Sequence, residues 1–249
     1  MDATGKSAQL KTIAESSESA IVISLELKNR KLYNLNNMGK TTKDSPCDVV
    51  EPIVLQNPPS YEIKPIETFN AVGNVVEMIL NGKGLDGKPK QYQTVIVDGI
   101  SDFPRWAEKL VIQKLQEKWD DKKPLEREGA SRPVVIGEKN KAAWGVRNNL
   151  ACLPLERLAA WAEVTGANVF LSTLMAPEYI NDKKVGYKVD IQDRIRDKTC
   201  DIRVKLIHDG RGYLAKFEKS PDWAKGVADE VMIGKGMLFA EFSKRGMIK

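Results

Sequence analysis

The stretch AIVISLEL at residues 20–27 decides the fold of this chain. Its three consecutive β-branched residues, Ile21, Val22 and Ile23, are typical of a strand that is buried on both faces of a parallel sheet. Two further runs have the same character, TVIVD at residues 94–98 and NVFLST at residues 168–173. Because parallel strands need long crossover connections, we expect helices between them. The sequence therefore predicts an α/β fold.

The remaining segments extend this prediction to a three-layer sandwich with a mainly parallel sheet and an antiparallel C-terminal hairpin. The stretch at 201–219 alternates around Asp209-Gly210, the strongest hairpin signal in the chain. A short strand is predicted within 48–55, and residues 176–198 are interpreted as a polar connection. We expect residues 1–220 to form one core and residues 221–249 a partly helical tail. Helical patterns mark four segments, 8–16, 66–80, 103–119 and 142–165, the last broken or kinked near Pro154.

Composition excludes several classes of site. The chain has 249 residues and a net charge of +5, which permits anionic partners without requiring them. Its only histidine is His208, so a two-histidine metal site is excluded and Ser-His-Asp chemistry is disfavoured. The three cysteines form no CxxC pair, which favours a reducing, cytoplasmic setting and disfavours zinc. No apolar run approaches the roughly 18 residues of a membrane span, so we expect no membrane association. Catalysis would rest on carboxylates, lysines and a bound metal.

The tetrapeptide TGKS at residues 4–7 matches the second half of the phosphate-binding signature G-x-x-x-x-G-K-[ST], whose first glycine would fall one place before Met1. In this interpretation the Lys6 ammonium reaches the β- and γ-phosphates of a nucleotide and the Ser7 hydroxyl binds Mg²⁺. The alternative is a serine-capped helix at a frayed terminus. The predicted nucleotide-binding residues are Ala3, Thr4, Gly5, Lys6, Ser7 and Ala8.

Polar residues end or follow three of the predicted strands. Asp98 closes TVIVD and is predicted to hold Mg²⁺ through water, although a buried strand that meets an acidic turn is the ordinary alternative. Glu26 follows the first strand and is predicted to orient the attacking water, unless it is a surface glutamate. Ser172 and Thr173 end the third strand and are predicted to sense the γ-phosphate, although buried strands often end in such residues.

Two basic segments are candidates for phosphate contacts. Lys219, and with it Lys216, could reach the phosphates of a neighbouring subunit as a finger, but solvated lysines on an edge strand explain them as well. Residues 176–198 alternate aromatic and basic side chains, as single-stranded nucleic acid requires for stacking and phosphate contact. Acids nearly balance the bases there, so a solvated loop is the alternative. The candidate DNA-binding residues are Tyr179, Lys183, Lys184, Tyr187 and Lys188.

Taken together, TGKS, SLEL, TVIVD, NVFLST and the hairpin ending in KFEKS resemble the RecA-like P-loop ATPases, in particular phage-type nucleotide-binding proteins with AWG-like helix starts such as Ala143-Trp144-Gly145. The SLE triplet also resembles a motif of replicative helicases. The resemblance implies ATP and Mg²⁺ as cofactors, Lys6 and Glu26 as catalytic residues, and Ser7 and Asp98 as metal ligands. The sensor of the family is often Gln or His, so Ser172 and Thr173 depart from its pattern.

The resemblance implies an ATP-binding, Mg²⁺-dependent NTPase of DNA recombination or replication, encoded by a phage or virus, with single-stranded DNA and further copies of itself as partners. The alternative is a nucleotide-binding or structural interaction module that does not hydrolyse ATP. The family has a hydrophobic strand before the loop, and the chain as given starts after it. We therefore expect an open sheet edge beside residues 167–173.

Overall fold

The computed structural model of the chain describes residues 5–35, 47–122, 126, 132–136, 142–180, 183–189, 194–208, 213–219, 230–234 and 238–246. For residues 175–180 and 183–189 only the backbone is described. No helix within these ranges is long and apolar enough to cross a membrane.

A four-stranded parallel sheet lies at the centre. Its strands are β1 (Ala20–Ser24), β2 (Asp48–Val50), β3 (Thr94–Asp98) and β4 (Asn168–Ser172), in the order β2-β1-β3-β4. Every residue of β1 and β3 is buried, which confirms the interpretation of their apolar runs. The register pairs Ser24 with Asp98 and Asp98 with Ser172, so the last residues of three strands form one row across the sheet.

Strand β4 is less buried than its sequence suggested. Only Ser172 of its five residues is buried, and the other four are half-buried. The reason is its position, because β4 pairs with β3 on one side and no other described strand pairs with its far edge. The sequence predicted a buried strand here, and that part was wrong; the open edge was expected.

Helices cover both faces of the sheet, which gives three layers. Helices α2 (Pro65–Leu80), α3 (Phe103–Asp120) and α4 (Ala142–Thr165) pack on one face against Ile21, Ile23, Val95 and Val97. On the other face, α1 (Lys6–Ser16) and α5 (Leu238–Lys244) pack against Val22 and Ile96. Helix α4 continues through Pro154 without a break. Because helices cover both faces of the sheet, side chains that point to either face meet an apolar layer, which explains why the inner residues of β1 and β3 are all apolar.

The antiparallel strands form sheets of their own and do not extend the parallel one. Strands β7 (Arg203–His208), β8 (Tyr213–Lys219) and β9 (Glu230–Ile233) make a three-stranded sheet that packs on the α1 side. The β7–β8 hairpin is confirmed, while its turn at Asp209-Gly210 lies outside the described residues. Strands β5 (Met175–Ile180) and β6 (Lys183–Val189) form a second hairpin that sequence analysis had interpreted as a polar connection.

The C-terminal segment is joined to the first helix by one side chain. Gln9 of α1 is 1% exposed; its Nε2 donates to Gly234 O at 2.8 Å, and its Oε1 accepts from Leu238 N at 3.0 Å. Leu238 and Phe242 of α5 pack in the same core as Leu10 and Ile13 of α1. Residues 230–234 and 238–246 therefore support the helix that begins at the predicted phosphate-binding loop; the boundary at residue 220 stays a prediction.

Candidate functional site at the carboxyl edge of the parallel sheet

The last residues of β1, β3 and β4 are polar and buried. Ser24, Asp98 and Ser172 are 0%, 1% and 8% exposed. Alternation along the strands puts them on the face that carries α1, since Val22 and Ile96 two positions earlier belong to the α1-side core. The carboxyl edge of a parallel sheet is where ligands bind in open α/β folds.

Asp98 is a buried carboxylate whose hydrogen-bond partners are all neutral. Its Oδ1 accepts from Ser172 Oγ at 2.5 Å, and its Oδ2 accepts from Tyr33 OH at 2.9 Å and Asn29 Nδ2 at 3.0 Å. Burial, and then the charge of Asp98, raise the pKa of Tyr33 well above its usual range, so Tyr33 remains a donor. No ion pair to Asp98 forms within the described part of the chain. A buried charge without a countercharge is costly, and a bound cation would offset that cost.

Helix α1 begins at the same edge. Its N-cap is Gly5, which has a φ of 69° and provides no side-chain cap, so the first backbone N–H groups of the helix have no intrahelical acceptor. The Lys6 Nζ donates to the backbone oxygen of Thr173 at 2.7 Å, directly after β4. A Cβ at Gly5 would lie 2.7 Å from the Tyr213 ring, so both backbone conformation and space favour glycine here. The positive end of the α1 dipole and the Lys6 ammonium group therefore lie at the same edge of the sheet, an arrangement that favours an anion.

Glu26 approaches Asp98 through a gap that a glycine leaves open. Gly99 has a φ of 99°, and a Cβ there would lie 2.6 Å from Glu26 Cγ. The Glu26 Oε2 lies 3.1 Å from Lys28 Nζ and 3.2 Å from Asn29 Nδ2. The same Asn29 nitrogen donates to Ser7 Oγ at 3.0 Å. One amide nitrogen therefore links Ser7, Glu26 and Asp98.

The structure brings most of the predicted site together. Six predicted residues lie at this edge: Lys6, Ser7, Glu26, Asp98, Ser172 and Thr173. The Thr173 Oγ1 lies 3.0 Å from Ser101 Oγ. Ala8 lies in the first turn of α1, while Ala3 and Thr4 lie outside the described residues. The chemical role of each residue stays a prediction.

Lys219 and Lys216 have partners that do not belong to this edge. The Lys219 Nζ donates to the backbone oxygens of Asp197, at 3.1 Å, and Cys200, and Lys216 pairs with Glu230 at 2.6 Å. A finger role would require Lys219 to leave these acceptors. The side chains of Tyr179, Lys183, Lys184, Tyr187 and Lys188 lie outside what the structure describes, although their backbone belongs to the β5–β6 hairpin.

Sequence analysis missed Asn29, Tyr33 and Gly99. Asn29 and Tyr33 belong to a short irregular segment after β1, which begins with a 3₁₀ turn at Leu27–Asn29, and no periodicity marks such residues. Gly99 did carry a signal, because a glycine directly after a buried strand indicates close approach of another group.

The residues at this edge fit a magnesium ion. No cluster of three or more His, Cys, Asp or Glu residues that could hold a metal occurs among the described residues. Magnesium usually needs only one or two carboxylates and takes its other ligands from phosphate and water. Ser7 and Asp98 supply oxygens around one point, and the fully buried Ser24 Oγ of the same row has no hydrogen-bond partner among the described residues.

Fold and site together define an α/β protein with a charged, glycine-lined site at the carboxyl edge of its parallel sheet. No protein-family model matches the chain, and no curated protein matches it.

Proposed function

We propose that this protein is an ATP-binding, Mg²⁺-dependent RecA-like NTPase that acts in DNA recombination or replication. One observation supports it above the others. The Asn29 amide nitrogen lies within 3.2 Å of oxygen atoms from three separate motifs, those of Ser7, Glu26 and Asp98. Lys6 lies at the same sheet edge. The start of α1 joins the two strand ends there through Ser7, as the order of the three motifs predicts.

The chemistry follows from where each group lies. The N–H groups of the first turn of α1, which have no acceptor within the helix, bind phosphate oxygens, and Lys6 exchanges its bond to Thr173 O for the β- and γ-phosphates. Ser7 and Asp98 hold Mg²⁺, which when bound neutralises charge on the phosphates. Glu26 accepts the proton of the attacking water, since it is the carboxylate at this edge that is neither fully buried nor a metal ligand in this assignment.

The DNA part of the proposal is supported by the sequence resemblance alone. The interleaved aromatic and basic residues of the β5–β6 hairpin are the segment that would contact a single strand. Its binding should weaken steeply as salt rises, because phosphate contacts release counterions.

Nucleotide binding tests the proposal through Lys6. Replacing Lys6 by Ala removes a charge-assisted phosphate contact of about 2 kcal/mol, so affinity for ATP with Mg²⁺ should fall about 30-fold or more in calorimetric titrations. The control is Lys11→Ala on the same helix, where the lysine pairs with Glu15 at 3.4 Å. Equal affinity of the Lys6→Ala variant and the parent would exclude the assigned phosphate site.

Hydrolysis tests Glu26 separately. The variant Glu26→Gln should bind ATP like the parent and release no phosphate, because an amide cannot accept the proton of water. The control is Glu18→Gln, since Glu18 lies at the opposite edge of the sheet and accepts from Gln93 Nε2 at 3.2 Å. Phosphate release by Glu26→Gln at the parental rate would contradict the role. A parent protein that binds ATP without releasing phosphate would instead be a non-hydrolysing nucleotide-binding module.

A further inference from the structure

The side-chain amide of Asn29 has more acceptors than it can serve. Its Nδ2 lies 3.0 Å from Ser7 Oγ, 3.2 Å from Glu26 Oε2 and 3.0 Å from Asp98 Oδ2. An amide nitrogen carries two hydrogens, so one of the three oxygens receives none. Two of the three belong to carboxylates. A point surrounded by such oxygens suits a cation better than it suits an amide.

A second observation at the same place is independent of these hydrogen bonds. The hydroxyl of Ser24 is fully buried and has no partner among the described residues, and Ser24 is the register neighbour of Asp98 on the same sheet face. An unsatisfied buried hydroxyl costs about 1–3 kcal/mol, so this corner of the protein is short of polar partners. Water or phosphate around a metal ion would supply them.

Side chains on the C-terminal side of Asn29 hold the segment in place. Arg30 donates from Nε to Glu51 Oε1 at 2.8 Å, and Tyr33 donates to Asp98. The Glu51 side chain is fully buried, so this pair is a firm anchor for the segment. Release of the Asn29 amide would therefore leave these anchors of the segment in place.

We propose that the Asn29 amide stands in for the metal ion in the nucleotide-free protein and that Mg²⁺ displaces it. This inference rests on the proposed function of the same site. In the free protein Asn29 keeps Ser7, Glu26 and Asp98 together, while Glu26 also pairs with Lys28 at 3.1 Å. Filling of the metal site releases Glu26 from Asn29. Asn29 thereby sets the Mg²⁺ concentration at which nucleotide binds and links metal binding to the freeing of Glu26.

The first test measures how much Mg²⁺ the site needs. At fixed ATP, Asn29→Ala should lower the half-saturating Mg²⁺ concentration about 3- to 10-fold. The reason is that Mg²⁺ no longer has to replace a hydrogen bond of the Asn29 amide, which contributes about 0.5–1.5 kcal/mol. ATP affinity measured in EDTA should be unchanged. The control is Asn81→Ala, whose amide donates only to the backbone of Glu77 at 2.8 Å. An unchanged or raised half-saturating concentration in Asn29→Ala would overturn the proposal.

The second test needs no nucleotide. The variant Asn29→Asp puts a third carboxylate at the point of convergence, so MnCl₂ alone should bind to it, with loss of the free-ion paramagnetic resonance signal and a rise in melting temperature. The parent and Asn29→Ala should show neither. If Asn29→Asp binds no more Mn²⁺ than the parent, the point is not a cation position and the proposal fails. This arm decides the matter if Asn29→Ala does not fold.

The two proposals fail in different ways. If the parent binds no ATP while Asn29→Asp takes up Mn²⁺, the nucleotide function is wrong and the cation point stands. If the parent binds ATP with Mg²⁺ while neither Asn29 variant changes metal binding, the nucleotide function stands and the role of Asn29 is wrong.

Discussion

The two ends of the parallel sheet differ in how their aspartates are partnered. At the amino end, Asp48 at the start of β2 accepts from Tyr92 OH at 2.5 Å and pairs with Lys90 Nζ at 2.8 Å. At the carboxyl end, Asp98 accepts from Tyr33, Asn29 and Ser172 and has no cationic partner among the described residues. The aspartate at the amino end therefore has a cationic partner, whereas among the described residues the aspartate at the carboxyl end has none. An unpaired buried carboxylate is expected where a bound ligand supplies the opposite charge.

Replacing each aspartate by asparagine should separate these roles most strongly. Asp98→Asn should lose the Mg²⁺ dependence of ATP binding, a change of tenfold or more in affinity at saturating Mg²⁺, because the metal loses its charged ligand. The free energy of unfolding should change by less than about 1 kcal/mol, since an unpaired buried charge is removed, the amide oxygen still accepts from Tyr33 and Asn29, and the amide nitrogen can donate to Ser172 Oγ once that hydroxyl rotates.

The matched variant Asp48→Asn should do the reverse. It should lower stability by up to about 1 kcal/mol, because the ion pair with Lys90 is partly exposed, and leave ATP binding unchanged. Urea denaturation and calorimetry measure both quantities. A larger loss of stability in Asp98→Asn than in Asp48→Asn would break the contrast between the two ends.

Two glycines provide a second comparison, in which the expected effect is of intermediate size. Both glycines have a positive φ, 99° at Gly99 and 65° at Gly82. A Cβ added to Gly99 would lie 2.6 Å from Glu26 Cγ, whereas a Cβ added to Gly82 would have no atom within 4 Å. Alanine at Gly82 should cost about 1 kcal/mol of backbone strain, whereas alanine at Gly99 should cost more and displace Glu26. Thermal denaturation measures the cost, and ATP turnover should fall only in Gly99→Ala. Equal effects of the two substitutions would show that Glu26 has room to move.

Alkaline pH gives the smallest effect, and it is absent at neutrality. Burial raises the pKa of Tyr33 and of Tyr92 above the usual value of about 10, and a neighbouring carboxylate adds to each shift. The folded state therefore keeps two protons that the unfolded chain releases, so stability should be full below pH 10 and fall above it. Tyr33→Phe and Tyr92→Phe should each make this fall less steep. Denaturation midpoints between pH 8 and 11 provide the measurement; parallel curves for all three proteins would refute the shifts.

Much of this architecture could be predicted from the sequence, for identifiable physical reasons. Val95, Ile96 and Val97 have no polar alternative, so their burial in a central strand was unambiguous. The TGKS match marked Lys6, and carboxylates at the ends of buried strands marked Glu26 and Asp98. The exposure of β4 depended on its place at the edge of the sheet, which its own residues do not encode. Asn29 and Tyr33 were missed because a polar residue in an irregular segment acquires its role only from what the fold places opposite to it.

The Gln9 side chain has a consequence for the order in which the protein can mature. Its amide takes both partners from residues 234 and 238, which are synthesised more than two hundred residues after it. A growing chain on the ribosome has neither partner, and α1 lacks its contact with α5 as well. Domains generally fold as units once their sequence has emerged. The helix that begins at Lys6 can therefore reach its final packing only after residues 234 and 238 have left the ribosome, so the site at its start is completed later than the strands beside it.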